Sequence, residues 1–114
     1  MKRENRVRKH SDFDRIIQQG ESIKGTHFSL FYERNAESKT QIGIAVGKKN
    51  GGAVARVKIK RQIRAMIAHH WSDWSLPLRI VIIVRPSYRI EEFAGNQEEL
   101  ESLLRKIKGA NLEP

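Results

Sequence analysis

The chain has 114 residues, 22 of them Lys or Arg against 13 Asp or Glu, leaving a formal charge of +9 and a pI near 10.3. That length suits one domain with a single modest core, and so large a cationic surplus points to a polyanionic partner. The absence of cysteine excludes disulfides, thiolate zinc sites and cysteine nucleophiles, so redox chemistry does not constrain the compartment.

A basic arm over residues 1–10 (MKRENRVRKH) opens the chain and lacks the apolar segment of a signal peptide. Ser11 is placed to cap a first helix, Asp12 and Asp14 suit its first turn, and Gly20 is a stop. Phe13, Ile16 and Ile17 then share one face. Two strands are expected within residues 22–38. The clearer one is HFSLFYE at 27–33, where Phe28, Leu30 and Tyr32 alternate with Ser29, Phe31 and Glu33, so that Phe31 faces away from Phe28. QIGIAVG at 41–47 follows with Ile42, Ile44 and Val46 on one side and the small Gly43 and Ala45 on the other, a spacing that suggests a hairpin partner for the preceding strand.

Asn50, Gly51 and Gly52 break that pattern before a strong helix in which Ile59, Ile63, Met66 and Ile67 form one apolar stripe. HHWSDWSLPL at 69–78 is a connection, and RIVIIV at 79–84 has the unbroken β-branched character of a central strand, ended by Pro86. The IVIIV run is far too short to span a bilayer. Asn96 with Glu99 resembles a capping box for a last helix that carries Leu100, Leu103, Leu104 and Ile107 and closes at Gly109. The order is αβββαβα, an α+β fold in one domain over 1–114, soluble and cytoplasmic, with no membrane partner and no obligate protein partner evident.

GKKNGGAVARVKIKRQIRAM at 47–66 holds seven Lys or Arg, and no acidic residue occurs between Glu37 and Asp73. A merely solvated helix interleaves acids for i,i+4 pairing; this one does not, which favours phosphate contact. On the helix, Lys60, Arg61 and Arg64 lie beside the apolar stripe, Arg56 borders it and Lys58 sits further round. Phe13 and Phe31 are candidate stacking rings for a single strand or, equally, core residues. A catalytic centre is not apparent. Asp12 and Asp14 are accounted for by the helix start, His69 and His70 are adjacent rather than i,i+4, and GKKNGG lacks the Lys-Ser/Thr ending of a phosphate-binding loop.

AVGKKNGGAVARVKIKRQIRAM closely resembles the signature of the bacterial ribonuclease P protein subunit, in which paired lysines, Ala-Val and Arg-Asn-Arg precede an apolar residue and Lys-Arg. The similarity extends to RKHSDFDRIIQQG, FSLFY, RIVIIVRP and LESLLRKI, in the family's order. It implies an αβββαβα sandwich around a central sheet with a left-handed βαβ crossover. It also implies a role in metal-dependent removal of the 5′ leader of precursor tRNA, with the catalytic centre and the Mg²⁺ held mainly by an RNA subunit and no catalytic residue in the protein.

By the same resemblance, Lys48, Lys49, Arg56, Lys58, Lys60, Arg61 and Arg64 meet the catalytic RNA, and Phe13, Ile17, Phe31, Val57 and Lys60 meet the leader. Two positions depart from the signature. Lys58 stands where Arg is usual and keeps charge without the bidentate fork; Val57 stands where Asn is usual and keeps no hydrogen-bonding group. A basic RNA-binding protein of ribosomal or chaperone type, unconnected with tRNA, fits the charge and size equally well. A protein-only nuclease does not, for want of clustered carboxylates.

Overall fold

The computed structural model describes residues 2–71 and 74–112, with the backbone alone at 70, 111 and 112. The elements are α1 (His10–Gln19), β1 (Glu21–Lys24), β2 (Phe28–Arg34), β3 (Gln41–Val46), α2 (Ala53–His70), β4 (Leu78–Val84) and α3 (Phe93–Leu112). Short 3-10 turns at Arg3–Asn5, Lys48–Asn50 and Ile90–Glu92 precede α1, α2 and α3 respectively. The fold is α+β, and both strands expected within 22–38 are present.

The four strands form one mixed sheet in the order β1-β2-β4-β3. β1 and β2 are an antiparallel hairpin, β2 pairs antiparallel with β4, and β3 pairs parallel with β4 through the α2 crossover. The hairpin expected between β2 and β3 is therefore absent: β4 lies between them. Its residues Ile80, Ile82 and Val84 are buried on one face and Val81 on the other, so β4 gains more from the central position than β3, one of whose faces carries Gly43 and Ala45.

The alternation along each strand divides the apolar residues between two layers. Phe28, Leu30, Ile42, Ile80, Ile82 and Val84 meet Ile59, Ile63, Met66 and Ile67 of α2 and Leu100, Leu103, Leu104 and Ile107 of α3. Both helical stripes read from the sequence are buried here. The Phe28 and Tyr88 rings meet edge to face at 5.6 Å in the same layer. The opposite face holds the smaller cluster of Val7, Ile16 and Val81, with Phe13, Ile17, Phe31 and Ile83 packed against it. Phe31 does face away from Phe28.

Several helix boundaries differ from the sequence reading. α1 begins at His10 with Lys9 as its N-cap and no side-chain cap, so Ser11 lies inside the helix. Asp12 is in the first turn but its carboxylate is taken by Arg15. α2 continues through His70, which moves 69–70 from the connection into the helix, while 72–73 of that connection lie outside the described residues. α3 starts at Phe93, ahead of the expected capping box, because the Asn96 amide donates to the Arg89 carbonyl (2.7 Å) and Glu99 accepts from the His27 N–H (2.8 Å). Gly109 does not end α3, which runs on to Leu112.

The N-terminal arm is docked on the sheet. Arg6 bridges Ile42 in parallel, the Val7 N–H donates to the Ile42 carbonyl (3.1 Å), and the buried Asn5 amide donates to the Thr40 carbonyl (3.0 Å). These contacts occupy the first half of the outer edge of β3. At the other end of α1, Gly20 closes the helix with its N–H on the Ile16 carbonyl (2.9 Å), and a Cβ there would stand 2.5 Å from that oxygen and 2.6 Å from the Tyr32 oxygen. Backbone atoms on both sides leave nothing to move aside, so Gly20→Ala is expected to destabilise the fold by roughly 1–3 kcal/mol in urea unfolding, the range for overpacking. An unchanged midpoint would show that α1 is free to shift at this turn.

Candidate nucleic-acid interface

α2 carries the charge because its sequence alternates an apolar stripe with cations around a continuous helix. Arg56, Lys60 and Arg64 follow one another at i, i+4 and i+8, stepping about 40° each time along one flank. All three are half-buried, and the Nε atoms of Arg56 and Arg64 are buried without a hydrogen-bond partner. Lys58 and Arg61 are exposed on the outer side, where they border a shallow depression with Ala53, Val54 and Val57. Val57 is 48% exposed and Val54 72%. Lys48 and Lys49 stand exposed on the turn before the helix, a turn closed by Gly51 at φ 121, which a Cβ would strain, and tied to the end of β4 by the Asn50 amide on the Arg85 carbonyl (2.9 Å). Among the described residues no ion pair joins any of these seven cations to a carboxylate.

On the other face of the sheet the register lays out three cross-strand rows under α1: Lys24, Ser29, Ile83 and Ala45; then Ser22, Phe31, Val81 and Gly43; then Glu33, Arg79 and Gln41. Phe13 reaches from α1 across to β3, where a Cβ on Gly43 would stand 2.5 Å from the ring. The missing side chain at 43 is thus the seat of the Phe13 ring. The structure brings Phe13, Ile17 and Phe31 together as one half-buried cluster, and it groups Arg56, Lys60 and Arg64 on one flank of α2. Val57 belongs to neither group; it lies on the outer face of α2.

The third row holds residues that sequence reasoning passed over. Arg15 grips Glu33 with two nitrogens, Nε to Oε1 at 3.0 Å and Nη2 to Oε2 at 2.5 Å, while its Nη1 meets Asp12 at 2.8 Å. Arg79 adds Nη1 to Glu33 Oε2 at 3.2 Å and donates from Nε to Gln41 Oε1 at 3.0 Å. The hydrogen bonds from Arg15 hold the Glu33 carboxyl below its ordinary range, with Arg79 acting in the same direction. An acid in a strand facing away from the main core was the only available signal, and its basic partners come from α1 and β4, remote in sequence.

No three His, Asp or Glu side chains converge as a metal-binding group among the described residues. Among the described residues, no helix is long and apolar enough to cross a membrane.

A mixed sheet with one helix on one face, two on the other and a cationic crossover helix defines a small basic α+β protein. The family model described as Ribonuclease P matches residues 1–108. The ribonuclease P protein component of Mycoplasma capricolum is 37% identical over 109 residues, covering 95% of this chain and all of that one. Among solved structures, a Staphylococcus aureus RNase P protein mutant with defective mRNA degradation activity superimposes with a TM-score of 0.81 at 34% identity, covering 92% of this chain and 89% of the other. The RNase P protein from Thermotoga maritima gives a TM-score of 0.75 at 28% identity over 89% and 96% of the two chains. The chain belongs to the bacterial ribonuclease P protein family, whose members are the protein component of a ribonucleoprotein of tRNA processing.

The depressed carboxyl of Glu33 makes a signed prediction. Its contribution to stability is complete above the ordinary value of 4.5 and is lost as pH falls through the lower native value. Glu33→Gln should therefore lower stability at neutral pH and make it less acid-sensitive than in the parent chain, as read by urea midpoints across that window. Parallel pH profiles would show that the carboxylate does not contribute.

Proposed function

We propose that this chain is the protein cofactor of a ribonuclease P holoenzyme, acting in the cytoplasm to promote Mg²⁺-dependent endonucleolytic removal of the 5′ leader from precursor tRNA. Its observational support is the set of seven cations at 48–64 that no described carboxylate neutralises, carried by a helix whose other face is core. Phosphates of the catalytic RNA supply the missing countercharge, with Lys48, Lys49, Arg56, Lys58, Lys60, Arg61 and Arg64 as donors.

The leader, in this reading, passes the half-buried Phe13, Ile17 and Phe31, where rings stack on or pack against unpaired bases, with Val57 and Lys60 of α2 as further contacts. Mg²⁺ is held mainly by the RNA, and the protein's share in its use is indirect, through screening of the anionic charge that repels substrate from catalyst. No side chain of the protein takes part in bond breaking.

The test is cleavage of a precursor tRNA by a bacterial ribonuclease P RNA at low Mg²⁺, with and without this protein and beside a protein-only control. Stimulation that requires both components is expected; tight RNA binding without stimulation would leave a general RNA-binding protein. Affinity for single-stranded leader should fall by roughly 0.7 log units per phosphate contact for each tenfold rise in salt, and a flat response would assign the cations to solvent. Phe13→Ala should weaken binding of leader-bearing substrate by about 1–3 kcal/mol if the ring stacks on one base. Val57→Asn restores an amide to the outer face of α2 and should tighten RNA binding; unchanged affinity would show that the valine surface serves equally well.

A further inference from the structure

We infer that Glu33 is a positioning residue for the leader contact: by clamping Arg15 it fixes the roll of α1 and so holds the Phe13 ring on its seat over Gly43. The inference deepens the reading just given and rests on it. Phe13 and Arg15 are two residues apart and point about 200° away from each other around α1. Ile16, fully buried between them, is the pivot. On one flank Phe13 rests on β3; on the other the Arg15 guanidinium reaches down to the sheet and is gripped by both oxygens of Glu33.

The geometry of the clamp resists rotation as well as separation. A two-point contact between a planar guanidinium and a carboxylate fixes orientation, which a single lysine contact does not. Glu33 is also braced from below. Arg79 of β4 holds its Oε2 and is itself held by Gln41 of β3, whose amide donates to the Glu4 carbonyl of the arm at 3.2 Å. The chain of contacts thus crosses β2, β4 and β3 and ends on the segment that leads into α1. Among the strand residues that face α1, Glu33 is the sole carboxylate, so nothing else on the sheet is available to take its place.

Packing does not fix α1 in the same way. The cluster beneath it has only Val7, Ile16 and Val81 buried, and Phe13, Ile17 and Phe31 are half-buried. Apart from the Phe13 ring over Gly43 and the tight Gly20 turn, apolar contacts on this side are few, and the polar clamp is the element with directional character. Asp12, Arg15, Glu33 and Arg79 sum to zero charge, so this row draws in no phosphate of its own and acts only through the helix it holds.

The experiment uses the holoenzyme reconstituted with a bacterial ribonuclease P RNA and compares binding of precursor tRNA with that of mature tRNA; the ratio is the gain due to the leader. Glu33→Gln is expected to reduce that gain by about three- to tenfold, within the coupling range for residues in one contact network, and to raise KM for leader-bearing substrate while affinity for mature tRNA holds. The loss should not add to that of Phe13→Ala in the double variant, because both act through the same ring. Arg15→Lys keeps the charge without the fork and should show a smaller loss; it carries the test if Glu33→Gln does not fold. A lower melting temperature with an unchanged leader gain would overturn the inference and leave the clamp a stability element. An unchanged leader gain in Phe13→Ala itself would instead remove the leader reading on which the inference stands.

Discussion

β4 is the constraint on which the rest of the molecule depends. A seven-residue strand, apolar toward both helical layers, is stable only where both of its edges are paired and both of its faces are covered. Once it occupies the centre of the sheet, β2 can pair with it antiparallel, but β3 must lie on the far side and parallel to it, and the chain between β3 and β4 has to cross from one end of the sheet to the other. α2 is that crossing. Its position beside the sheet follows from backbone pairing, and its apolar stripe is what the exposed side of the sheet required.

The charges on the protein therefore fall into two kinds. Arg15 and Arg79 are spent internally, on Glu33 and Asp12, and tie elements of the fold to one another. Those of α2 and the turn before it have no internal partner among the described residues, and they lie on an element whose remaining face is already committed to the core. Net charge alone does not separate these kinds; neighbours in space do. In the function proposed above, the unpartnered set finds its counterpart in RNA.

Much of this was legible along the chain because it is written at short range. The stripes Ile59, Ile63, Met66, Ile67 and Leu100, Leu103, Leu104, Ile107 repeat at helical spacing, and the opposition of Phe28 to Phe31 follows from the two-residue period of a strand. What failed depended on contacts between distant segments. The pairing of β3 was misread because adjacency in sequence suggested a hairpin, whereas the competition was won by β4, more than thirty positions on. Asn96 and Glu99 have the spacing of a capping box, yet their side chains answer to Arg89 and to His27. Of the site, the cationic helix was evident from composition and the cluster of Phe13, Ile17 and Phe31 came from family resemblance, while the Glu33 clamp joins three segments and has no local signature.

The two faces of the sheet are unequally built, and this inequality has a bearing on what holds each of them in place. On one side α2 and α3 close a thick layer in which Ile63, Ile80, Ile82 and Leu100 are sealed from water; on the other, α1 lies over a thin layer edged by half-buried rings. A thin layer is cheap to deform, and local openings in proteins are drawn from such regions. How far α1 can shift on this side is therefore set less by apolar packing than by the two-point grip of Glu33 on Arg15, while the sheet beneath it stays braced by the thick layer opposite. The protein combines a half held by the bulk of its apolar packing with a half held by a few directional polar contacts, so a single polar substitution reaches further on the second side than on the first.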